Sequence, residues 1–372
     1  MSTYKKVRRA LVCFLILFFL SGNTTVSGME IDSKAAILID QTTGRILFEK
    51  NSKERLPIAS TTKIMTSILA MELVPLQEKA IISKHTAEVG EASIDLIEGE
   101  TITLLNLLLG TMIKSGNDAA VAIAELVAGS EAEFANMMNK KALLIGAYNT
   151  HFVNPNGLPA DNHYSTAYDL ALIANYAMKN SLFRDIVSIK SATIPYGNYQ
   201  WNRYLKNTNK LLREYPYATG IKTGTTNAAG PCLVASATKN NTKLIAVVLN
   251  SRDRFQQTAQ LFNWGFANFE TKNIYLQGEI IHQEFLPEAK GETLDIMVSE
   301  DVAITFNNNE KKAYDEKLNL YPVQLPIKKG SVVGQLIISV DAIEINVDLI
   351  AANTVETKSF WERMGLKRII NF

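Results

Sequence analysis

The chain has 372 residues, 47% of them hydrophobic, with 38 basic against 37 acidic side chains. That length and composition fit a folded protein with a sizeable core. The near balance of charge gives none of the basic surface that nucleic-acid binding demands.

Lys5, Lys6, Arg8 and Arg9 form a basic cluster, an apolar run covers Ala10 to Leu20, and Ser21, Gly22, Ser27 and Gly28 follow. That order predicts a secretory signal peptide over residues 1–28. The run of 11 residues is short for a helix crossing a hydrocarbon core ~30 Å thick. Loss of residues 1–28 leaves 34 basic against 37 acidic groups, a net charge of −3. It also removes Cys13, so Cys232 would stand alone, without an intramolecular disulfide.

Ala36–Ile39 and Arg45–Phe48, separated by the turn cluster Gln41–Gly44, predict a hairpin. Ile64, Ile68 and Met71 recur at helical spacing from Thr61 to Leu73, with Ser60 expected at the N-cap. Further helices are expected over Leu104–Ile113, Asp118–Val127, Glu131–Ile145, Thr166–Met178 (capped by Ser165) and Phe255–Phe269. Strands are expected at Gly220–Thr223, Leu233–Thr238 and Lys243–Asn250. Mixed helices and hairpin-linked strands predict an α+β architecture, an antiparallel sheet flanked by helices, over residues 29–270. After Glu270 only short alternating runs occur, which predicts a small all-β domain of roughly 80 residues, 271–352.

Three short motifs carry possible chemistry. In Ser60-Thr61-Thr62-Lys63 the i,i+3 spacing lets the amine reach the hydroxyl. A lysine serves as a base only when neutral, which burial and a second cation favour. Ser115-Gly116-Asn117 sits between two helical runs, and Lys222-Thr223-Gly224 lies in a β-prone stretch. Each alone reads as readily as a helix start, an interhelical turn and a strand end. Together, and in this order, they match the serine–lysine motif set of penicillin-binding proteins and class A β-lactamases.

The flanking residues sharpen the match. Pro57-Ile58-Ala59-Ser60-Thr61-Thr62-Lys63-Ile64-Met65-Thr66, Lys114–Ala120, Asn154-Pro155-Asn156-Gly157-Leu158 and Gly220–Thr226 resemble the low-molecular-mass penicillin-binding proteins of the D-alanyl-D-alanine carboxypeptidase (S11 peptidase) family. The resemblance runs over about residues 30–270. It implies a penicillin-binding, β-lactamase-like fold and removal of the terminal D-alanine from peptidoglycan stem peptides, with β-lactams as covalent inhibitors and no cofactor.

It also implies roles. Ser60 is the nucleophile, Lys63 its base, and Ser115 a proton relay tuned by Lys222. Asn117 holds the substrate amide, Lys222 and Thr223 take the terminal carboxylate, and the N–H groups of Ser60 and Thr225 form an oxyanion hole. Arg254, in Asp253-Arg254-Phe255, is similar to the family's carboxylate-side arginine. The family often has His where this chain has Asn156; that loop reads as structural.

A β-lactamase needs a deacylating Glu, and no E-x-x-L-N-type segment lies between Asn117 and Lys222. A non-catalytic wall-binding protein would not need all of Ser60, Lys63, Ser115 and Lys222. His85, His151, His163 and His282 are scattered without ligand spacing, so no metal site is expected. Cys232 reads as a half-buried thiol. The tail, 353–372, mixes Phe360, Trp361, Leu366, Ile369, Ile370 and Phe372 with Arg363, Lys367 and Arg368. Such a mixture suits a membrane interface, so the expected location is the outer face of the cytoplasmic membrane.

Overall fold

The computed structural model describes residues 29–197, 199–291, 293–308, 313–340, 343–359 and 363. The leader-like segment and most of the interfacial tail lie outside the described residues.

Strand β1 (Ala35–Asp40) turns into β2 (Ile46–Lys50), and a 3-10 turn over Ala59–Thr62 runs into α1 (Lys63–Leu73). A ribbon, β3 (Lys79–Ile81) with β4 (Thr101–Thr103), brackets the one-turn α2 (Lys84–Ala87). Helix α3 (Leu104–Leu109) widens into a π-helical turn at Gly110–Lys114, followed by α4 (Asn117–Ala128) and α5 (Glu131–Ile145). Next come α6 (Ala167–Ala177), α7 (Ser181–Ser188), a hairpin of β5 (Ser191–Pro195) and β6 (Asn202–Lys206), and α8 (Leu211–Glu214). Strands β7 (Ala218–Thr226), β8 (Gly230–Lys239) and β9 (Thr242–Leu249) lead to α9 (Arg254–Asn268).

The main sheet is antiparallel, ordered β2-β1-β9-β8-β7. Both of its faces are covered, so β1 and β9 read as nearly unbroken apolar runs. Ile37, Ile39, Ile245 and Val247 belong to the large core shared with Ile64, Ile68, Ile123 and Phe134. Helix α9 packs on β8 and β9. Strand β7 is left at the sheet edge, paired on one side only.

Beyond α9 the described elements are all strands: β10 (Phe269–Tyr275), β11 (Ile280–Phe285), β12 (Thr293–Val298), β13 (Val302–Asn307), β14 (Asp315–Leu320), β15 (Val332–Val340) and β16 (Ile343–Ala351). Five of them form a sheet ordered β11-β12-β16-β15-β14 over a separate core that includes Leu294, Ile296, Leu336, Ile338 and Leu349. This is the C-terminal all-β domain. It is tied to the first sheet where Arg45 donates to the Thr305 carbonyl at 2.7 Å and Thr271 donates to buried Asp40 at 3.1 Å.

Both predicted helix caps differ from expectation. Ser60 is not an N-cap, because the α-helix begins only at Lys63 and no side chain caps it. The hydroxyls of Thr61 and Thr62 instead donate back to Ile58 and Ala59 carbonyls, at 2.7 and 2.9 Å, closing the tighter turn. Thr166 rather than Ser165 caps α6, accepting from the Asp169 N–H at 2.9 Å.

Candidate active site

Four segments converge: the turn before α1, the turn before α4, the edge strand β7, and the loop 154–158. Two of them carry backbone strain. Ala59 has φ 48° and Ser115 φ 69°, left-handed values that non-glycine residues seldom adopt. Such conformations persist where surrounding bonds over-determine them, and they cluster at functional sites.

Lys63 is fully buried. Its Nζ lies 2.9 Å from Ser60 Oγ, 2.7 Å from Asn117 Oδ1 and 2.7 Å from the Asn156 carbonyl. Burial, and next the charge of Lys222, hold its amine well below the ordinary lysine range, against the pull of Asp118 and Glu91. Lys222 is equally buried and donates to Ser115 Oγ and to the Thr223 carbonyl, both at 2.9 Å. Burial first, and Arg254 second, bring it down to about 7. The site therefore holds two amines that titrate far more easily than surface lysines.

The surroundings fix these groups. Asp118 lies in the first turn of α4, and its carboxylate takes the N–H groups of Ile94 and Leu96 at 3.1 Å and the Ser93 hydroxyl at 2.6 Å. That pins the loop beside Asn117, whose Nδ2 donates to the Gly90 carbonyl at 3.0 Å. On the other wall, the Thr223 hydroxyl meets that of Thr208 at 2.6 Å. Thr208 follows the β5–β6 hairpin, which is anchored where buried Arg203 forks onto Glu100.

Ser60, Lys63 and Asn117 thus form one hydrogen-bonded group and Ser115 with Lys222 a second, near enough for the charge of Lys222 to act on Lys63. Thr223 and Thr225 continue along β7. Gly224 lies against the nucleophile turn, because a Cβ there would stand 2.9 Å from the Ser60 nitrogen. Arg254 Nη1 donates to the Gly224 carbonyl at 2.6 Å, Thr225 Oγ1 at 2.7 Å and the Cys232 carbonyl at 3.1 Å. It braces the end of β7 and borders a cleft of about 530 Å³ with Thr225, Phe255 and Tyr215. Cys232 is fully buried rather than half-buried, and burial pushes its thiol up to about 11, which leaves it unreactive.

Sequence reasoning singled out the 154–158 loop and took it as structural, but did not foresee that its Asn156 carbonyl holds the lysine. Asn-Pro-Asn-Gly signals a turn, but a backbone acceptor leaves no residue-type signature. It also missed His163, buried beneath Thr62.

A serine with a buried lysine at its hydroxyl, on a helix-flanked antiparallel sheet, defines the class: a serine peptidase of penicillin-binding-protein fold. Residues 22–253 match the peptidase S11 family, D-alanyl-D-alanine carboxypeptidase, and residues 269–357 match the penicillin-binding protein 5 C-terminal domain. The chain belongs to the S11 family of D-alanyl-D-alanine carboxypeptidases. It is 36% identical to the D-alanyl-D-alanine carboxypeptidase DacF of Bacillus subtilis over 90% of this chain and 87% of that one. With DacC of Escherichia coli it shares 33% identity over 98% and 96% of the two chains. Penicillin-binding protein 5 of Haemophilus influenzae superposes with TM-score 0.72 at 29% identity, over 89% of this chain and 99% of that one.

Proposed function

We propose that the enzyme releases the terminal D-alanine of peptidoglycan stem peptides through an acyl-enzyme on Ser60, and that β-lactams trap it at that stage. The carrying observation is the hydrogen-bond arithmetic at Lys63. A neutral amine has two hydrogens and one lone pair. The Asn117 and Asn156 oxygens, each at 2.7 Å, take the hydrogens, which leaves the lone pair for the Ser60 hydroxyl at 2.9 Å.

Ser60 Oγ then attacks the carbonyl carbon between the two D-alanines and passes its proton to Lys63. The tetrahedral oxyanion faces the N–H groups of Ser60 and Thr225, each such donor being worth ~3 kcal/mol of barrier. Collapse breaks the C–N bond, and the departing amine takes a proton through Ser115, which Lys222 supports. Water then hydrolyses the ester. Lys222, Thr223 and Arg254 offer the charge and hydroxyls for the terminal carboxylate, and Asn117 the N–H for the peptide. In a β-lactam the leaving nitrogen stays tethered, so the ester persists.

The test is D-alanine release from an acyl-D-Ala-D-Ala peptide, run beside labelling with fluorescent penicillin. Release together with a stable label is expected. Rapid loss of label would make the protein a β-lactamase, and no label and no release would make it a binder.

A pH profile checks the amine assignments. Catalysis needs Lys63 neutral and Lys222 charged. Acid protonates Lys63 and shuts off the base. Rising pH discharges Lys222, so kcat/KM is expected to fall as pH passes about 7. A bound carboxylate favours the charged lysine, so the alkaline limb of kcat should lie at least about one pH unit higher. Superimposable limbs for kcat and kcat/KM would remove Lys222 from the carboxylate site.

The leader-like residues 1–28 and the aromatic, basic tail support a location on the outer face of the cytoplasmic membrane. Fractionation of a chain ending at Lys358 tests the tail's part: it should leave the membrane, and retention there would place the anchor elsewhere.

A further inference from the structure

We infer that His163 is a positioning residue for the oxyanion hole, acting through Thr62 on the Ala59–Ser60 peptide group. The inference rests on the acyl-enzyme reading above, and it concerns a histidine that contacts none of the groups assigned a chemical role.

The bonds form a directed chain. The Val153 N–H donates to His163 Nδ1 at 3.1 Å. That donor requires a lone pair on Nδ1, which puts the ring proton on Nε2. His163 Nε2–H therefore donates to Thr62 Oγ1, at 2.8 Å. The Thr62 hydroxyl hydrogen is then free for only one partner, the Ala59 carbonyl at 2.9 Å. Ala59, Thr62 and His163 are buried, Thr62 completely, and His163 packs edge-on against Phe152. Burial also pulls the imidazole down to about 4, so it stays neutral over the working range.

The last acceptor is what gives the chain a function. A trans peptide group is planar, with its C=O and N–H pointing opposite ways. Holding the Ala59 oxygen on one side fixes the Ser60 N–H on the other, and that N–H is the proposed oxyanion donor. Ala59 needs the hold, since its φ of 48° is unfavourable for alanine. Gly157 presses on the same oxygen from the loop side, and its missing side chain leaves room for the Thr62 hydroxyl. Without the histidine, Thr62 is free to rotate and the peptide plane to tilt.

Acylation by a chromogenic cephalosporin, resolved by stopped flow into a dissociation constant and a rate constant, tests this. Thr62→Val and His163→Leu are expected to slow acylation about 10- to 100-fold with the dissociation constant unchanged, the loss typical of a misaimed oxyanion donor. Affinity for a peptide boronic acid, whose tetrahedral adduct uses the same donors, should fall by the same factor. Thr62→Ser should restore the wild-type rate, and His163→Gln, which keeps an N–H near the Nε2 position, should restore part of it. The Thr62→Val/His163→Leu double variant should be no slower than the slower single variant, because both act on one chain. Thr62→Val keeps the shape of the side chain, so it serves where His163→Leu does not fold. Wild-type acylation in Thr62→Val, or a loss confined to the dissociation constant, overturns the inference. A wild-type enzyme that never acylates instead overturns the reading it rests on.

Discussion

Lys63→Arg is expected to lose acylation by at least about a thousandfold, the loss expected when a general base is removed. Arginine keeps N–H donors for Asn117 Oδ1 and the Asn156 carbonyl, but its guanidinium does not deprotonate at working pH and offers no lone pair to Ser60. It also buries a permanent charge beside Lys222, so some stability is lost as well. Lys63→Met separates the two effects. It removes the base without burying a charge, and it leaves the two oxygens unpaired at about 1–3 kcal/mol each. Both variants, measured while folded, should fail to acylate. Acylation within tenfold of wild type in either would remove Lys63 as the base.

Gly157→Ala is expected to slow acylation a hundredfold or more and to lower the unfolding midpoint. Gly157 sits at φ +85°, and a Cβ there would overlap the Ala59 carbonyl carbon and oxygen. The left-handed backbone alone costs an alanine about 1–2 kcal/mol. The overlap adds displacement of the Ala59–Ser60 peptide, where a shift of about 1 Å is enough for a hundredfold loss. Gly129→Ala is the control, with a similar φ of +76° and open space around the Cβ position. It should lower stability and leave acylation untouched. If Gly157→Ala acylates as the Gly129→Ala control does, the loop does not support the nucleophile turn.

The residues of the candidate site that were legible in the sequence are those that short motifs mark by side-chain type: Ser60, Lys63, Ser115, Asn117 and Lys222. Helix α5 was legible to the residue, because Ser130 caps it and Gly146 ends it with a left-handed turn. Less was visible where the backbone does the work. The Asn156 carbonyl and the Ala59–Ser60 peptide plane have no side-chain signature. His163 lies 101 residues from its partner Thr62, and Arg203 lies 103 from Glu100, so no local pattern joins them. Strand β14 escaped because it is an exposed, charged edge strand in which alternation carries no burial signal. The start of α1 was misplaced because Ser60 has the residue type of an N-cap, while its hydroxyl is committed to Lys63.

The measurement that bears most directly on the account is peptide mapping by mass spectrometry after brief exposure to penicillin and, separately, to an acyl-D-Ala-D-Ala ester. Both are expected to add an acyl group to the single peptide that contains Ser60, and Ser60→Ala should carry none. An adduct on any other residue, or one that survives in Ser60→Ala, would contradict the assignment of Ser60 as the nucleophile.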